Sequence, residues 1–158
     1  MAEMDENDAG ASVDFRGLPV RYGLLRPAFE EAARRILADH GVDTYEISIS
    51  FVDNDEMTKL NEERLGRSGP TDVIAFDLSE PGFPFEKVGD IYICTDTALE
   101  NSARFNVSHE QELLRLVVHG VLHVLGYTDL DATEASRMER IQEEVVKDFQ
   151  LLADGDEE

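Results

Sequence analysis

Cysteine occurs once in this 158-residue chain, at Cys94, so no internal disulfide can form. The lone thiol sits in the apolar run Ile91-Tyr92-Ile93-Cys94, where a buried structural role is expected. No stretch of 18 or more apolar residues is present, so no membrane span is expected. The opening Met1-Ala2-Glu3-Met4-Asp5-Glu6 has neither the basic segment nor the apolar core of a secretion signal, and a cytoplasmic location is the expectation. Internal repeats and low-complexity tracts are also missing. Positive charge is scarce: 14 Lys and Arg stand against 35 Asp and Glu, for a formal net charge of -21, and lysine appears only as Lys59, Lys87 and Lys147. Long-range attraction to nucleic acid is therefore not written into the composition.

Two readings of that acidity are open. The surface can be one that avoids polyanions, or one that keeps a protein soluble in a very salty cytoplasm. The second is favoured because the acidic residues are spread over the whole chain. At roughly 1 M salt the screening length is about 3 Å, and repulsion of a polyanion is largely removed.

A length of 158 residues favours one domain with a real core. Residues 1–12 form an acidic stretch expected to be disordered, 13–152 a single domain, and 153–158 an acidic tail. A short strand is expected near Val13 to Phe15. Phe29, Ala32, Ala33, Ile36 and Leu37 share one face of a helix from about Pro27 to Asp39, with Pro27 in its first turn and Gly41 at its stop. Tyr45 to Phe51 alternates strictly, as a strand with one buried face does. Asp53 or Asn54 can cap a short helix carrying Met57, Leu60 and Asn61. Val73 to Phe76 and Ile91 to Cys94 read as further strands, with loops at Gly66 to Pro70 and Pro81 to Pro84. A helix fits Thr97 to Phe105. Ser108-His109-Glu110-Gln111 is a capping-box pattern opening the most apolar helix, through Leu125. Its apolar residues cover nearly the whole circumference, so it should be central and buried. A last amphipathic helix spans about Thr133 to Leu152. The fold class is α+β: a small mixed β-sheet packed with helices, with the candidate site at the end of the central buried helix.

Of four histidines, His40 and His109 lie at helix ends, where structural roles are expected. His119 and His123 are spaced i, i+4, so their rings leave one helix face a turn apart and can meet one ion at about 2.0–2.1 Å. A bare pair at this spacing is equally consistent with two core histidines satisfied by hydrogen bonds. In a buried apolar helix, however, each unpaired imidazole nitrogen costs about 1–3 kcal/mol, and an ion satisfies one per ring. Gly126 can reverse the chain after the helix, bringing Asp129 back as a third ligand, with Asp131 as the alternative. Two histidines and a carboxylate leave a fourth position for water, the catalytic arrangement rather than the closed structural one. Gly120 stands where a metalloprotease of the H-E-x-x-H kind has its glutamate base, which excludes peptide hydrolysis by that route. Its small size is expected to leave room for a substrate or another backbone near the ion.

The run His119-Gly120-Val121-Leu122-His123-Val124-Leu125-Gly126-Tyr127 resembles the H-G-x-L-H-L-x-G-Y-D-H pattern of the YbeY family of metal-dependent single-strand endoribonucleases, the rRNA maturation factors. Glu112 to Val118, Gly89-Asp90-Ile91, Pro70 to Phe76, Leu60-Asn61 and Glu134 to Glu139 resemble it too, in order, over roughly residues 44 to 145. Two positions depart. The family's third histidine falls on Asp129, whose charge should weaken the ion as a Lewis acid and widens the choice of metal toward harder ions such as Mn²⁺. The family's Arg four residues after Asn61 falls on Leu65, leaving Arg64 or Arg67 to supply a phosphate-binding charge.

The resemblance implies a single-strand-specific endoribonuclease acting in 16S rRNA 3′ end maturation and ribosome quality control. Its partners would be single-stranded rRNA, the small ribosomal subunit and its assembly factors. One Zn²⁺ per chain is implied, with Mn²⁺ or another divalent ion as the alternative, activating water and offsetting charge on a phosphate oxygen. Three other readings are a metallohydrolase of a different substrate, a ribosome-associated module with a structural metal site, and an acidic, metal-free mimic of nucleic acid.

Overall fold

The computed structural model describes residues 10–82 and 84–154. Four strands, β1 (Ala11–Arg16), β2 (Tyr45–Val52), β3 (Val73–Asp77) and β4 (Lys87–Cys94), form one sheet in the order β1-β2-β4-β3. The β1–β2 and β2–β4 pairs are parallel, and β3 closes the sheet antiparallel to β4. The helices are α1 (Arg26–Asp39), α2 (Asn54–Leu65), α3 (Thr95–Phe105), α4 (His109–Val124) and α5 (Ala132–Asp154), with a 3₁₀ turn at Val20–Leu25 before α1. This is the α+β architecture expected from the periodicities.

Both faces of the sheet are covered, unequally. Gly89, Ile91 and Ile93 of β4 turn toward α4, while Tyr92 and Cys94 turn toward α2. The main core gathers Ile47, Ile49 and Phe51 of β2 with the apolar faces of α1, α4 and α5. A smaller cluster of Met57, Ile74 and Cys94 seals the α2 side, so Cys94 is buried as expected. Helix α4 is the hub, packing on β3 and β4 and against α1, α3 and α5. Its apolar residues from Leu113 to Val124 are all buried, which explains why hydrophobicity runs around its whole circumference. Ser108 caps it, its Oγ accepting from the Gln111 amide at 3.0 Å. A full reciprocal box forms instead at α2, between Asp53 and Glu56.

Several boundaries differ from those expected. Ala11 and Ser12 belong to β1, paired with Tyr45 and Glu46, so the ordered domain begins before residue 13. Residues 1–9 and 155–158 of the two acidic ends, and Phe83 of the Pro81–Pro84 loop, lie outside the described residues. β4 starts at Lys87 rather than Ile91, because its polar first half matches β2 residue for residue from Tyr45 onward. The 3₁₀ turn carries no periodic signal; it buries Tyr22 and Leu25 beneath exposed Val20 and Leu24.

Gly120 is the clearest correction. It faces the sheet, and a Cβ placed there would lie 2.6 Å from Cγ2 of Ile91. Its smallness lets α4 sit close on β4; it does not make space for a substrate or a second backbone. Gly120→Ala should therefore overpack this contact and cost about 1–3 kcal/mol of stability. Equilibrium urea unfolding measures this directly, and an unchanged or raised midpoint would contradict the packing.

Candidate metal centre

Helix α4 delivers His119 and His123 to the same face, one turn apart, near its C-terminal end. Their Nε2 atoms are 3.0 Å apart and their rings nearly perpendicular, at 82°. The opposite nitrogens are both occupied. His123 Nδ1 lies 2.9 Å from the Tyr127 carbonyl, which can only accept, so this nitrogen carries the proton. His119 Nδ1 lies 2.7 Å from Gln142 Oε1. The Gln142 amide is oriented in turn by its Nε2, which donates to the Glu143 carboxylate at 3.1 Å. Both rings are thereby held as Nδ1–H tautomers, and two Nε2 lone pairs face each other. That arrangement is repulsive unless a cation lies between them. Two nitrogens bound to one tetrahedral ion at about 2.05 Å would be separated by roughly 3.3 Å, close to the spacing seen.

The third donor arrives as the spacing predicts. Gly126 takes a positive φ of 108°, Tyr127 N donates back to the Leu122 carbonyl at 3.1 Å, and the reversed chain carries Asp129 to the histidines. Asp129 Oδ2 lies 3.8 Å from His123 Nε2, and one ligand atom from each of the three residues falls within 4.8 Å of the others. This donor set, with its two aimed lone pairs, fits a divalent cation. Asp131, the alternative third ligand, caps α5 instead, accepting from the Glu134 amide at 2.8 Å. Burial, and then the neighbouring His119 ring, lower the pKa of His123 below the usual imidazole value. The neutral, ligating form is favoured by that shift.

A hollow of about 390 Å³ opens beside His123, walled by β3 and by Leu65, Arg67, Tyr127 and Thr128. Arg67 thus shares a cleft with the histidine. Arg64 lies outside its lining, with its guanidinium 5.5 Å from the centroid of Phe76, a wall residue. Leu65 makes an apolar stretch of the same wall. His40 and His109 are structural, as expected. His40 bonds to the Ile36 carbonyl and the Tyr127 hydroxyl. His109 bonds to the Tyr22 hydroxyl and the Thr95 carbonyl.

Behind His119 lies a network that sequence reasoning missed. Gln142 reaches Glu143, which takes a bidentate pair of bonds from Arg115 at 2.8 and 2.9 Å, and Arg115 also reaches Glu112 at 3.1 Å. Glu112 is only 2 % exposed, and desolvation raises its pKa against the pull of Arg115. The i, i+3 spacing of Glu112 and Arg115 was the available signal, but it does not reveal which residues of α5 complete the chain.

An α+β domain that presents two histidines and a carboxylate beside an open cleft has the build of a small hydrolase with a site for a divalent ion. Comparison with known proteins narrows the class. Residues 22–150 match the family described as Endoribonuclease YbeY. An Endoribonuclease YbeY of Macrococcus caseolyticus is 35 % identical, over 98 % of this chain and 99 % of its own. One of Lysinibacillus sphaericus is 42 % identical, over 69 % and 75 %. The solution structure of a Thermotoga maritima protein superposes with a TM-score of 0.62 at 27 % identity, covering 87 % of this chain and 89 % of its own. The chain belongs to the Endoribonuclease YbeY family.

The orientation of Gln142 has a measurable consequence. Gln142→Leu removes the acceptor that holds His119 in its ligating tautomer, and affinity for Zn²⁺ should fall about 10–100-fold. Gln142→Glu, which keeps an acceptor, should retain most of it. Competition titration against a chromophoric chelator reads both, and equal affinity in wild type and Gln142→Leu would refute the assignment.

Proposed function

We propose that this chain is a single-strand-specific, metal-dependent endoribonuclease that acts in the cytoplasm on 16S rRNA 3′ ends and in ribosome quality control, in contact with the small subunit and its assembly factors. The family supports the nuclease activity. The observation that carries the metal dependence is the convergence of His119, His123 and Asp129 on one point beside an open cleft. These three would hold one divalent ion, Zn²⁺ or a harder ion such as Mn²⁺. When bound, the ion supplies Lewis acidity toward water and a phosphate oxygen.

The protein's own groups do the remaining work. Gln142 and the Tyr127 carbonyl fix the two rings, so no reorientation is needed when a substrate arrives. Asp129 has a side chain 62 % exposed, which leaves the site open to solvent and to a polymer. Arg67 lines the cleft, where its guanidinium would hold a phosphodiester, and Arg64, over the ring of the wall residue Phe76, would be the neighbouring alternative. Leu65, which occupies the family's arginine position, gives up one bidentate phosphate contact, so substrate positioning rests on these neighbours. A closed structural site is disfavoured by the same exposure of Asp129. Among the described residues, no helix is long and apolar enough to cross a membrane.

Elemental analysis of wild type, His123→Ala and Asp129→Ala, paired with cleavage of unstructured RNA at about 1 M KCl, tests this reading. Screening at that salt offsets the repulsion between a chain of net charge -21 and RNA. Wild type should carry about one ion and cut RNA; His123→Ala should lose both. Metal-stripped protein that cuts as fast as the loaded enzyme would overturn the proposal.

A further inference from the structure

A second hollow, of about 300 Å³, opens on the other side of the histidine pair. The cleft described above reaches His123; this one reaches His119 and is bounded by α3, α4 and α5. A polymer with one phosphate at the ion site would thus have a recess on each side. The lining of the second recess is unlike that of the first. Its floor holds Asn101, Glu112 and Gln142, three of the buried polar residues among those described, together with Asp72, which accepts from Asn101 at 3.2 Å. Its rim holds Phe105, 56 % exposed at the last turn of α3, with the Arg104 guanidinium 5.7 Å from the ring centroid. Asn106, at a positive φ of 59°, ends α3 immediately after Phe105.

A flat apolar face, a cation beside it and a floor of hydrogen-bonding groups are the complement of one nucleobase. The ring supplies a stacking surface, and the carboxylates of Asp72 and Glu112, which keep acceptor sites beyond their bonds to Asn101 and Arg115, can meet N–H donors on the base edge. Charge points the same way. Among the described residues, neither Arg104 nor Arg67 forms an ion pair with a carboxylate, although carboxylates far outnumber cations in this chain. The two recesses therefore each keep an arginine available to a phosphate.

We propose that the recess beside His119 is a nucleobase subsite: an unpaired base adjacent to the scissile phosphate stacks on Phe105, and Arg104 holds the next phosphate. This rests on the endoribonuclease reading and deepens it. A base locked in a duplex cannot offer its face to Phe105, so the recess selects unpaired RNA at the position beside the cut.

The test is cleavage of an end-labelled oligouridylate of about ten nucleotides by metal-loaded wild type, Phe105→Ala and Phe105→Trp, with metal content measured for each. A parallel series of the same oligomer carries a single abasic site at each position in turn. Phe105→Ala should lower kcat/KM on the intact oligomer about tenfold, chiefly through KM, with metal content unchanged, and Phe105→Trp should restore it. At one position beside the cut, the abasic oligomer should be a poor substrate for wild type and no worse for Phe105→Ala. Equal kcat/KM for wild type and Phe105→Ala, or a loss that is the same for every abasic position, would overturn the subsite while leaving the nuclease reading intact. Failure of wild type to cut any RNA would overturn both.

Discussion

Two imidazole nitrogens 3.0 Å apart, each with its proton committed to the far side of its ring, are the constraint around which this protein is organised. The protein holds them there through elements that differ in origin. The Tyr127 carbonyl belongs to the turn just after α4, so His123 is fixed by its own helix terminus. His119 is fixed from α5, across the interface of two helices. Rigidity on the histidine side contrasts with the exposed position of Asp129, which sits on the turn between those helices. The histidines are therefore set by the core, and the third donor by a short connection. That division lets the third group be a carboxylate without disturbing the packing beneath the histidines.

Much of this was legible in the residues because the stretch of α4 from Leu116 to Val124 has only two polar side chains. Among those apolar neighbours, two imidazoles need partners for their ring nitrogens, and their spacing admits one common face. Gly126 before Tyr127-Thr128-Asp129 was equally readable, since a glycine at a helix end dictates a reversal whatever lies around it. The strands β2 and β4 announced themselves by alternation and by β-branched residues, respectively, although the polar half of β4 did not. Its membership in the sheet is decided by its partner β2.

What could not be read depends on contacts between residues distant in the chain. Gly120 looks like an opening until Ile91, on another element, is placed against it. Gln142 looks like any polar residue of an amphipathic helix; only the packing of α5 on α4 reveals that it faces His119. Asp131 and Asp129 are both carboxylates after the helix, and their different roles follow from where α5 begins. Arg64 and Arg67 are neighbours in sequence, yet a loop beginning at Gly66 sends one toward Phe76 and the other into the cleft wall. Periodicity reports which face is buried, and it is silent about what covers it.

The dependence of His119 on α5 carries an implication for the order in which the molecule is assembled. Both histidines and Asp129 are in the chain before residue 130, but the glutamine that sets the first ring comes thirteen residues after Asp129, and Glu143, which steers that glutamine, comes one later. A nascent chain that has emerged only through the turn holds all three side chains but lacks the group that orients His119. The orienting bond to His119 forms only when the last helix docks, so a chain still short of that helix would hold a divalent ion less tightly than the finished protein.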